Sequence, residues 1–514
     1  MQRWAWPALG LFVLACFWGF WSYGPFDLDE GLYAVALMEM QERGDWVVPT
    51  YRGVPFFEKP ILFYWTAWLA DLAGAEGVVA LRLPSILATI GTLALVALFT
   101  KRIGPVMILS VSVLFMGVGR MFMPDPFLVF GMTAALFAFW KSREDPRWFV
   151  AAGVGLAVAV LAKGPMPLVV FGLLGVYCRW RTEWPPDHER SKPMVHAWKL
   201  AGVALFLVIA APWYVLAAMR SPAFVDEFLI KQNLGRLAGA DVVHAGPFWL
   251  YIPVVLVGLL PFSLSLVGAW RGREGELEQY LWAFALIVFV LFSVAGTKLP
   301  HYILPIFPAL AILIDNYLER ERPRVIAACF VCMLALTVLL VGLGFADDRY
   351  RILVVFGGMA LGGATTCVNG RLQGWHPTTI GFAAIGALAS GLVAAGPRIY
   401  WSATHEDSYT VARSLVNDKR RIVEYRTGGE RARGKTSHPS MQWMIGRNTE
   451  AVEDLFGLRA VISREPVIVI TRDNRLEQDL RGLPSSFGDF QRLFQVGEFE
   501  VFIASPINHS NGRR

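Results

Sequence analysis

The chain has 514 residues, of which 55% are hydrophobic and 17% charged, and its net charge is +6. Soluble proteins are about 45–50% apolar with about a quarter of their residues charged, so this composition excludes an ordinary soluble protein. The basic residues lie mainly in short loops between apolar runs, which is typical of membrane orientation signals and gives no reason to expect a nucleic-acid partner.

The first apolar run, Trp4–Tyr23, has no charged residue and is about as long as a membrane-crossing helix requires. Its high tryptophan content and the lack of a small-residue cleavage site favour a span over a signal peptide. A long loop over residues 23–79 follows and is predicted to lie outside the cell. Within this loop, the apolar spacing from Tyr33 to Met40 predicts an amphipathic helix over Glu30–Arg43 that lies on the bilayer.

Further apolar runs predict a polytopic α-helical membrane protein with about thirteen transmembrane helices in all. After the first span, they cover residues 80–100, 104–119, 126–140, 148–162, 164–178, 200–218, 248–269, 280–296, 301–316, 325–345, 352–368 and 377–396.

The segment Trp148–Cys178 admits two interpretations: one long helix, or two short helices hinged at Lys163–Pro167. With the N-terminus inside and two helices, basic loops such as Arg179–Lys199 and Arg320–Arg324 all face the cytoplasm. This arrangement satisfies the positive-inside rule, whereas a single helix would turn the later basic loops outward. The two-helix interpretation therefore predicts that the chain after residue 397 lies outside.

The last part of the chain, residues 398–514, is rich in charged residues and has no run long enough to span a membrane. Val467–Ile470 and Phe499–Ile503 are predicted strands, and helices are predicted near residues 406–417, 449–457 and 474–481. The sequence thus divides into a membrane domain over residues 1–397 and a periplasmic soluble α/β domain over residues 398–514. Residues 427–435 are predicted to form a loop.

The predicted outward loops carry compact charged groups of both signs, which are costly at a membrane boundary unless paired or functional. Their convergence at one face predicts a polar site at the membrane surface. The compact groups that form this predicted site are Asp27, Asp29, Glu30, Glu58, Lys59, Arg120, Asp125, Lys163, Lys231, Arg236, His244, Lys298 and His301.

Six of these residues also have a structural alternative. Asp29 precedes the predicted helix and is suited to cap its exposed amides. Glu58 and Lys59 are suited to a local ion pair. Lys163 and Lys298 are suited to extend their ammonium groups towards the membrane interface, and His244 is suited to pack within its loop.

Longer motifs resemble a known family. The pair Asp29-Glu30 followed by Tyr33-Ala34, and then the string GDWVVPTYRGVPFFEKP, are similar to the lipid A aminoarabinose transferases and to the wider family related to protein O-mannosyltransferases, with the GT-C fold. The similarity continues in order through LAKGP, NLGRLAGADVVHAGPFWLY and TKLPHYILPIFPAL. It covers the membrane part of the chain, whereas the tail is similar only in place and size.

The resemblance implies a glycosyltransferase that takes a sugar from a polyprenyl-phosphate carrier and gives it, with inversion, to a lipid, glycan or protein acceptor outside the cell. It implies that Asp29 is the catalytic carboxylate, with Glu30 as its partner. The expected ligands of the carrier phosphate and sugar are Tyr33, Lys59, Arg120, Lys163, Lys298 and Tyr302. The expected ligands of a divalent metal ion, Zn²⁺, Mg²⁺ or Mn²⁺, are Glu58, Asp125 and His244.

The sequence departs from the aminoarabinose transferases at two positions. Leu32 stands where they have an arginine, and Ile61 follows Pro60 where they have a second proline. The missing arginine puts the aminoarabinose specificity in question more than the transfer chemistry. A transporter or lipid flippase is the main alternative function, but such proteins place their binding groups near the bilayer midplane and use repeats. A non-catalytic lipid-binding or assembly protein is the third.

Overall fold

The computed structural model describes residues 6–7, 10, 13–14, 16–26, 29–181, 193–235, 246–259, 262–320, 407, 409–425, 439–446, 449–452, 454–472, 475–480, 488–496 and 499–506. The chain divides into two units. Unit 1 comprises Met1–Phe20 and Pro55–Pro397, and unit 2 comprises Trp21–Val54 and Arg398–Arg514. Part of the first predicted span, and all of the spans predicted at 325–345, 352–368 and 377–396, lie outside the described residues. The loop predicted at 427–435 lies outside them as well.

The helices follow one another along most of the chain. In chain order the α-helices are α1 (Glu30–Arg43), α2 (Leu62–Leu72), α3 (Val78–Thr100), α4 (Ile103–Ser110), α5 (Val113–Gly119), α6 (Asp125–Lys141), α7 (Trp148–Lys163), α8 (Met166–Arg181), α9 (Pro193–Arg220), α10 (Tyr251–Gly258), α11 (Leu266–Arg271), α12 (Gly275–Val294), α13 (Phe307–Arg320), α14 (Pro439–Ile445), α15 (Leu455–Ile462) and α16 (Arg475–Leu480). A π-helix covers Val225–Gly235, and 3-10 helices cover Phe262–Ser265 and Pro300–Ile306.

The strands are short and belong mainly to the C-terminal part. They are β1 (Thr50–Tyr51), β2 (Val54–Pro55), β3 (Arg421–Tyr425), β4 (Glu450–Val452), β5 (Val467–Arg472), β6 (Asp489–Val496) and β7 (Phe499–Ser505). Strands β1 and β2 form a hairpin, and the other five form one sheet.

Unit 1 is helical. Within the described ranges, four helical segments are long and apolar enough to cross a membrane, and a fifth crossing is added if the bent pair Tyr251–Gly258 and Phe262–Arg271 counts as one. The four segments are Val78–Thr100, Met194–Arg220, Gly275–Val294 and Pro300–Arg320. These lengths are consistent with the roughly 20 residues that a spanning helix needs.

The predicted hinge between two short helices is confirmed. Helix α7 ends at Lys163 and α8 begins at Met166. Between them Gly164 has a φ of +97°, a conformation that residues with a side chain rarely adopt. The Gly-Pro pair at 164–165 therefore stops one helix and starts the next.

Two other predicted spans are interrupted. The segment 104–119 contains α4 and α5, and the segment 248–269 contains α10 and the separate helices that follow it. The Ser112 hydroxyl accepts from the Phe115 amide at 3.3 Å, which caps α5, and it donates to the Gly258 carbonyl at 2.7 Å, where α10 ends. The two breaks thus satisfy each other's polar groups, which irregular backbone at membrane depth requires.

Helix α7 packs closely against α6 and α9. A Cβ atom on Gly131 would lie 2.6 Å from the Gly155 carbonyl oxygen, and one on Gly153 would lie 2.1 Å from the Gly202 carbonyl oxygen. Small residues at these crossings let helix backbones approach, as is common between membrane helices. The packing brings the start of α6 and the end of α7 to the same end of the helix pair, with Asp125 at the former and Lys163 at the latter.

Helix α1 belongs to unit 2 and has the predicted bounds. It ends at Gly44, whose φ of +64° suits a left-handed C-cap. The prediction that this helix is amphipathic, with one apolar side, is wrong. Consecutive residues from Glu30 to Leu37 are buried on every side of the helix. Helix α1 packs against α14 of the C-terminal region instead of presenting a single apolar face to a bilayer.

The C-terminal sheet has the order β4-β3-β5-β7-β6. Strands β4, β3 and β5 are parallel, whereas β7 is antiparallel to both β5 and β6. Strands β5 and β7 confirm the two predicted strands. The register places Ile468 beside Ile422 on one side and Ile503 on the other, in the buried centre of the sheet.

Residues 409–415 are helical, and they and α16 match two of the predicted helices. The helix predicted at 449–457 is wrong. Residues Glu450–Val452 instead pair in parallel with Val423–Tyr425. A helix begins only after Asp454, whose side chain accepts from the Gly457 amide at 2.7 Å. The Asp454 cap, within the predicted segment, and the distant sheet partner Val423–Tyr425 set this boundary.

Candidate functional site

A buried carboxylate is the centre of the polar group in unit 1. Asp125 lies at the first position of α6 and is 1% exposed. The Lys163 ammonium forms an ion pair with Asp125 Oδ1, and His301 Nε2 lies 3.8 Å from Asp125 Oδ2. The Lys163 ammonium also lies 4.0 Å from the centre of the Tyr302 ring. Three separate elements, α6, α7 and the 3-10 helix Pro300–Ile306, thus meet at one carboxylate.

Two more predicted lysines are buried in unit 1. Lys59 is 9% exposed and interacts electrostatically with Asp125. Lys298 is 8% exposed, and its ammonium donates to the Ala295 carbonyl at 2.5 Å. Gly246 lies beside the Lys298 stem, and a Cβ atom there would lie 3.4 Å from it, at ordinary van der Waals distance. Lys298 lies three residues before His301, at the entrance to the same 3-10 helix.

Two nitrogen-containing side chains, Lys163 and His301, approach the buried Asp125 carboxylate. A buried charge is stable only when it is paired and hydrogen-bonded. Asp125 offsets one ammonium, Lys163, while Lys59 and the His301 imidazole also act on it. An environment of this kind favours the binding of a further anion and stabilises negative charge that develops during a reaction.

Arg120 has a different environment from the one expected of a phosphate ligand. Its side chain is fully buried, and its two terminal nitrogens donate to the Cys16 carbonyl at 3.2 Å and the Trp18 carbonyl at 3.0 Å. The Arg82 guanidinium similarly donates to the Phe20 carbonyl at 2.7 Å. These arginines satisfy carbonyl groups in the turn before the first long loop, where the backbone has no helical partners.

The predicted catalytic pair lies in unit 2, at the start of α1. Asp29 occupies the N-cap position, but its side chain makes no capping hydrogen bond, and the residue is exposed. Glu30 is 1% exposed, and its carboxylate accepts from the Phe26 amide at 3.0 Å. The two neighbouring carboxylates therefore differ: Glu30 holds the preceding backbone, whereas Asp29 is turned to the surface of its unit.

Two other positions on α1 bear on the predicted substrate contacts. Tyr33 is 3% exposed, and Leu32, which replaces the arginine of the aminoarabinose transferases, is also buried. The apolar Leu32 packs where an arginine would need charged or polar partners.

Only two of the three predicted metal ligands, Glu58 and Asp125, belong to the part of the chain that the structure describes. His244 lies outside those residues, and no group of three His, Cys, Asp or Glu side chains suited to a metal occurs within them. Glu58 acts electrostatically on Tyr64, and Asp125 is surrounded by Lys163 and His301. A divalent metal held by Glu58, Asp125 and His244 therefore stays a prediction.

His301 was placed in the predicted polar site without an assigned role, and several other residues of unit 1 were not singled out. His301 follows Pro300 in the motif TKLPHYILPIFPAL. Its position next to Tyr302, a predicted ligand, was the sequence signal for a role in the site. Tyr251 is buried, and its ring lies 6.3 Å from that of Phe292, which lies 5.8 Å from the Tyr302 ring. An aromatic cluster also forms where the π-helix begins, with Phe224 stacked on Phe228 at 5.3 Å. Its other members, Phe57, Trp213 and Tyr214, come from distant segments.

Comparison with known families gives a match in the first part of the chain. The family described as dolichyl-phosphate-mannose-protein mannosyltransferase matches residues 12–228.

Curated relatives extend this similarity. The undecaprenyl phosphate-alpha-4-amino-4-deoxy-L-arabinose arabinosyl transferase of Edwardsiella ictaluri is 34% identical over 311 residues, which cover 57% of this chain and 55% of that protein. The Yersinia pestis protein of the same name is 29% identical over 351 residues, which cover 62% of both. The chain therefore spans between half and two thirds of the length of these relatives.

Solved structures match over nearly the whole length. The crystal structure of ArnT from Cupriavidus metallidurans bound to undecaprenyl phosphate has a TM-score of 0.80 and 19% identity, and covers 98% of both chains. The same protein in the apo state gives a TM-score of 0.79 over the same share. The chain therefore has the fold of these proteins, the GT-C fold that the resemblance implied, and is a helical membrane protein.

Proposed function

We propose that this chain, which resembles the aminoarabinose transferases in sequence and shares their fold, is a membrane glycosyltransferase that uses a polyprenyl-phosphate-linked sugar. The acceptor is a lipid of the lipid A kind, and the reaction inverts the anomeric centre. The observation that carries the proposal is the buried group of Lys59, Lys163 and His301 around Asp125, which suits a phosphate at the membrane. The similar ArnT structure was solved with undecaprenyl phosphate bound.

The proposed reaction follows the residue roles that the resemblance implies. The acceptor hydroxyl oxygen attacks the anomeric carbon, the bond from that carbon to the phosphate oxygen breaks, and the polyprenyl phosphate leaves with the bonding electrons. The Asp29 carboxylate takes the hydroxyl proton. Lys59 and Lys298 offset the charge that develops on the leaving phosphate, and Lys163 and Tyr302 complete the phosphate surroundings.

The residues around the phosphate do not specify the sugar. Leu32 removes the charged side chain that the aminoarabinose transferases have at this position, so the sugar or the acceptor headgroup differs at the atoms that this side chain would contact. The resemblance predicts a divalent metal held by Glu58, Asp125 and His244, and the proposed reaction does not depend on it.

A transfer assay tests the function directly. The purified protein in liposomes would be given an undecaprenyl-phosphate sugar and lipid A, and the lipids analysed by mass spectrometry. Transfer predicts an acceptor heavier by one sugar residue and an equal amount of unloaded carrier. A transporter or flippase instead predicts movement of intact lipid between leaflets with no change in mass, and that result would refute the enzymatic assignment.

The proposal includes about thirteen spans in the bacterial inner membrane, with the active site and residues 398–514 on the periplasmic side. The two-helix arrangement of α7 and α8 supports it, because the extra crossing keeps the basic loops inside.

Single cysteines in a variant without native cysteines test this topology in intact cells. We expect an impermeant maleimide to label Gln41→Cys and Asp226→Cys, both exposed, but not Glu144→Cys. Protection of Asp226→Cys alongside labelling of Gln41→Cys would contradict the topology.

A further inference from the structure

A buried carboxylate on α1 holds the turn that follows it within unit 2. Glu39 is 3% exposed. Its oxygens accept from the Thr50 hydroxyl at 2.6 Å, from the Arg52 amide at 2.6 Å and from the Gly53 amide at 3.1 Å. Arg52 has a φ of +55°, a left-handed conformation that is uncommon for a residue with a side chain. The hydrogen bonds to Glu39 therefore fix a turn that is locally unfavourable.

The side chain of the same arginine reaches the C-terminal sheet. The Arg52 guanidinium donates to the Thr449 hydroxyl at 3.4 Å and lies 3.7 Å from the Glu424 carboxylate. Thr449 in turn donates to Glu424. Glu424 lies on β3, and its side chain is fully buried. A carboxylate in such a place requires a counter-charge, and Arg52 supplies one from a segment 372 residues earlier.

This network joins two segments through buried charges, whose removal from water costs free energy. Buried ion pairs contribute little net stability, and apolar residues of similar volume often stabilise a fold more. Their advantage is that they fix one relative position, because any other leaves a buried charge unpaired. The grouping of Trp21–Val54 with the C-terminal region in one compact unit agrees with such a fixed position.

We infer that Arg52 is a positioning residue: together with Glu39 and Glu424 it clips α1 to the C-terminal sheet and so fixes the orientation of Asp29. The inference rests on the proposed function, in which Asp29 is the catalytic carboxylate. Glu39 lies ten residues after Asp29 on one continuous helix, about 15 Å along its axis. Because a helix of this length is stiff, holding its far end aligns its first residue. The C-terminal region thereby contributes to catalysis by positioning Asp29.

Two variants separate positioning from stability. Arg52→Ala leaves the buried Glu424 carboxylate without this partner, and we expect it to lower both the melting temperature and the activity. Adding Glu424→Gln removes the buried charge and retains a side-chain oxygen for Thr449. We expect the double variant to recover most of the melting temperature but not the alignment. Its kcat should remain about 10–100-fold below wild type, the scale of loss for a misplaced reacting group, with KM for the polyprenyl-phosphate sugar within about twofold.

Arg421→Ala is the matched control. Arg421 lies on the same strand as Glu424, but its ion pairs with Glu450 and Glu465 are partly exposed and remain within the C-terminal region. We expect wild-type kcat for this variant. Recovery of both melting temperature and kcat in the double variant, or normal kcat in Arg52→Ala, would overturn the inference.

Hydrogen exchange of α1 supplies a measurement that does not depend on turnover. Loss of the clip should speed exchange in Glu30–Arg43 in both Arg52 variants but not in Arg421→Ala. A wild-type protein without transferase activity would refute the proposed function and with it the role in catalysis. Unchanged exchange in the Arg52 variants would refute the clip whatever the activity.

Discussion

Asp29→Asn is expected to abolish transfer, with a fall in kcat of about 10²–10⁴-fold, the usual contribution of a positioned general base. The amide cannot accept the proton of the acceptor hydroxyl, although it has nearly the same size and polarity. Expression, melting temperature and binding of the polyprenyl-phosphate sugar should remain near wild type. Turnover of the purified variant with a saturating donor, together with donor binding by calorimetry, measures both effects.

The structural alternative for Asp29 makes a different forecast. Asparagine is about as good an N-cap as aspartate, so a capping role would leave the variant almost fully active. The geometry already opposes this role, since the Asp29 side chain makes no capping hydrogen bond.

Asp45→Asn is the matched control for Asp29→Asn. Asp45 lies in the same loop and accepts from the Val47 amide at 2.9 Å, a bond that asparagine can preserve. Asp45→Asn should be active, and substantial activity in Asp29→Asn as well would refute the catalytic assignment.

The features that were predicted from the sequence are those set by neighbouring residues. Helix α1 has the predicted bounds because its start lies just after Asp29 and its end at Gly44, which adopts the left-handed conformation of a C-cap. The break between α7 and α8 was predictable because Gly164 and Pro165 disfavour a continuous helix in different ways. Strands β5 and β7 were predictable from dense β-branched and aromatic runs.

The features that were missed depend on distant partners. The surface of α1 reads as amphipathic, but α14 covers it, and no local pattern contains that contact. The breaks at Ser112 and Gly258 lie in uniformly apolar segments. They are stable because one hydroxyl joins them across the fold, at a sequence separation of 146 residues.

The sequence predicted which charged residues belong to the candidate site, but it did not predict which groups they contact. Asp125 was expected to hold a metal, and its ion pair with Lys163 was not foreseen because the lysine ends a different helix. Arg120 carries the right charge for a phosphate, yet its guanidinium binds the Cys16 and Trp18 carbonyls. Charge identifies which residues are unusual, whereas the helix packing decides whether a cation faces a carboxylate, a carbonyl or a ligand.

Lys59→Gln and Lys298→Gln are each expected to lower kcat by about 10²–10³-fold, the usual cost of removing one group that stabilises transition-state charge. The leaving phosphate gains negative charge in a buried environment, where a nearby ammonium has its greatest effect. Glutamine keeps much of the length and some hydrogen-bonding capacity but no charge. Single-turnover rates with purified protein would separate this effect from weaker donor binding.

Lys199→Gln is the control, because Lys199 lies on α9 and has no predicted role in the candidate site. Its ammonium lies 5.4 Å from the centre of the Phe149 ring, and we expect the variant to turn over normally. The alternative for Lys298 is that its hydrogen bond to the Ala295 carbonyl is its whole role. That role would lower the melting temperature of Lys298→Gln without a specific loss in the chemical step. Near-normal single-turnover rates in both Lys59→Gln and Lys298→Gln would assign these buried lysines to structure and remove them from the phosphate site.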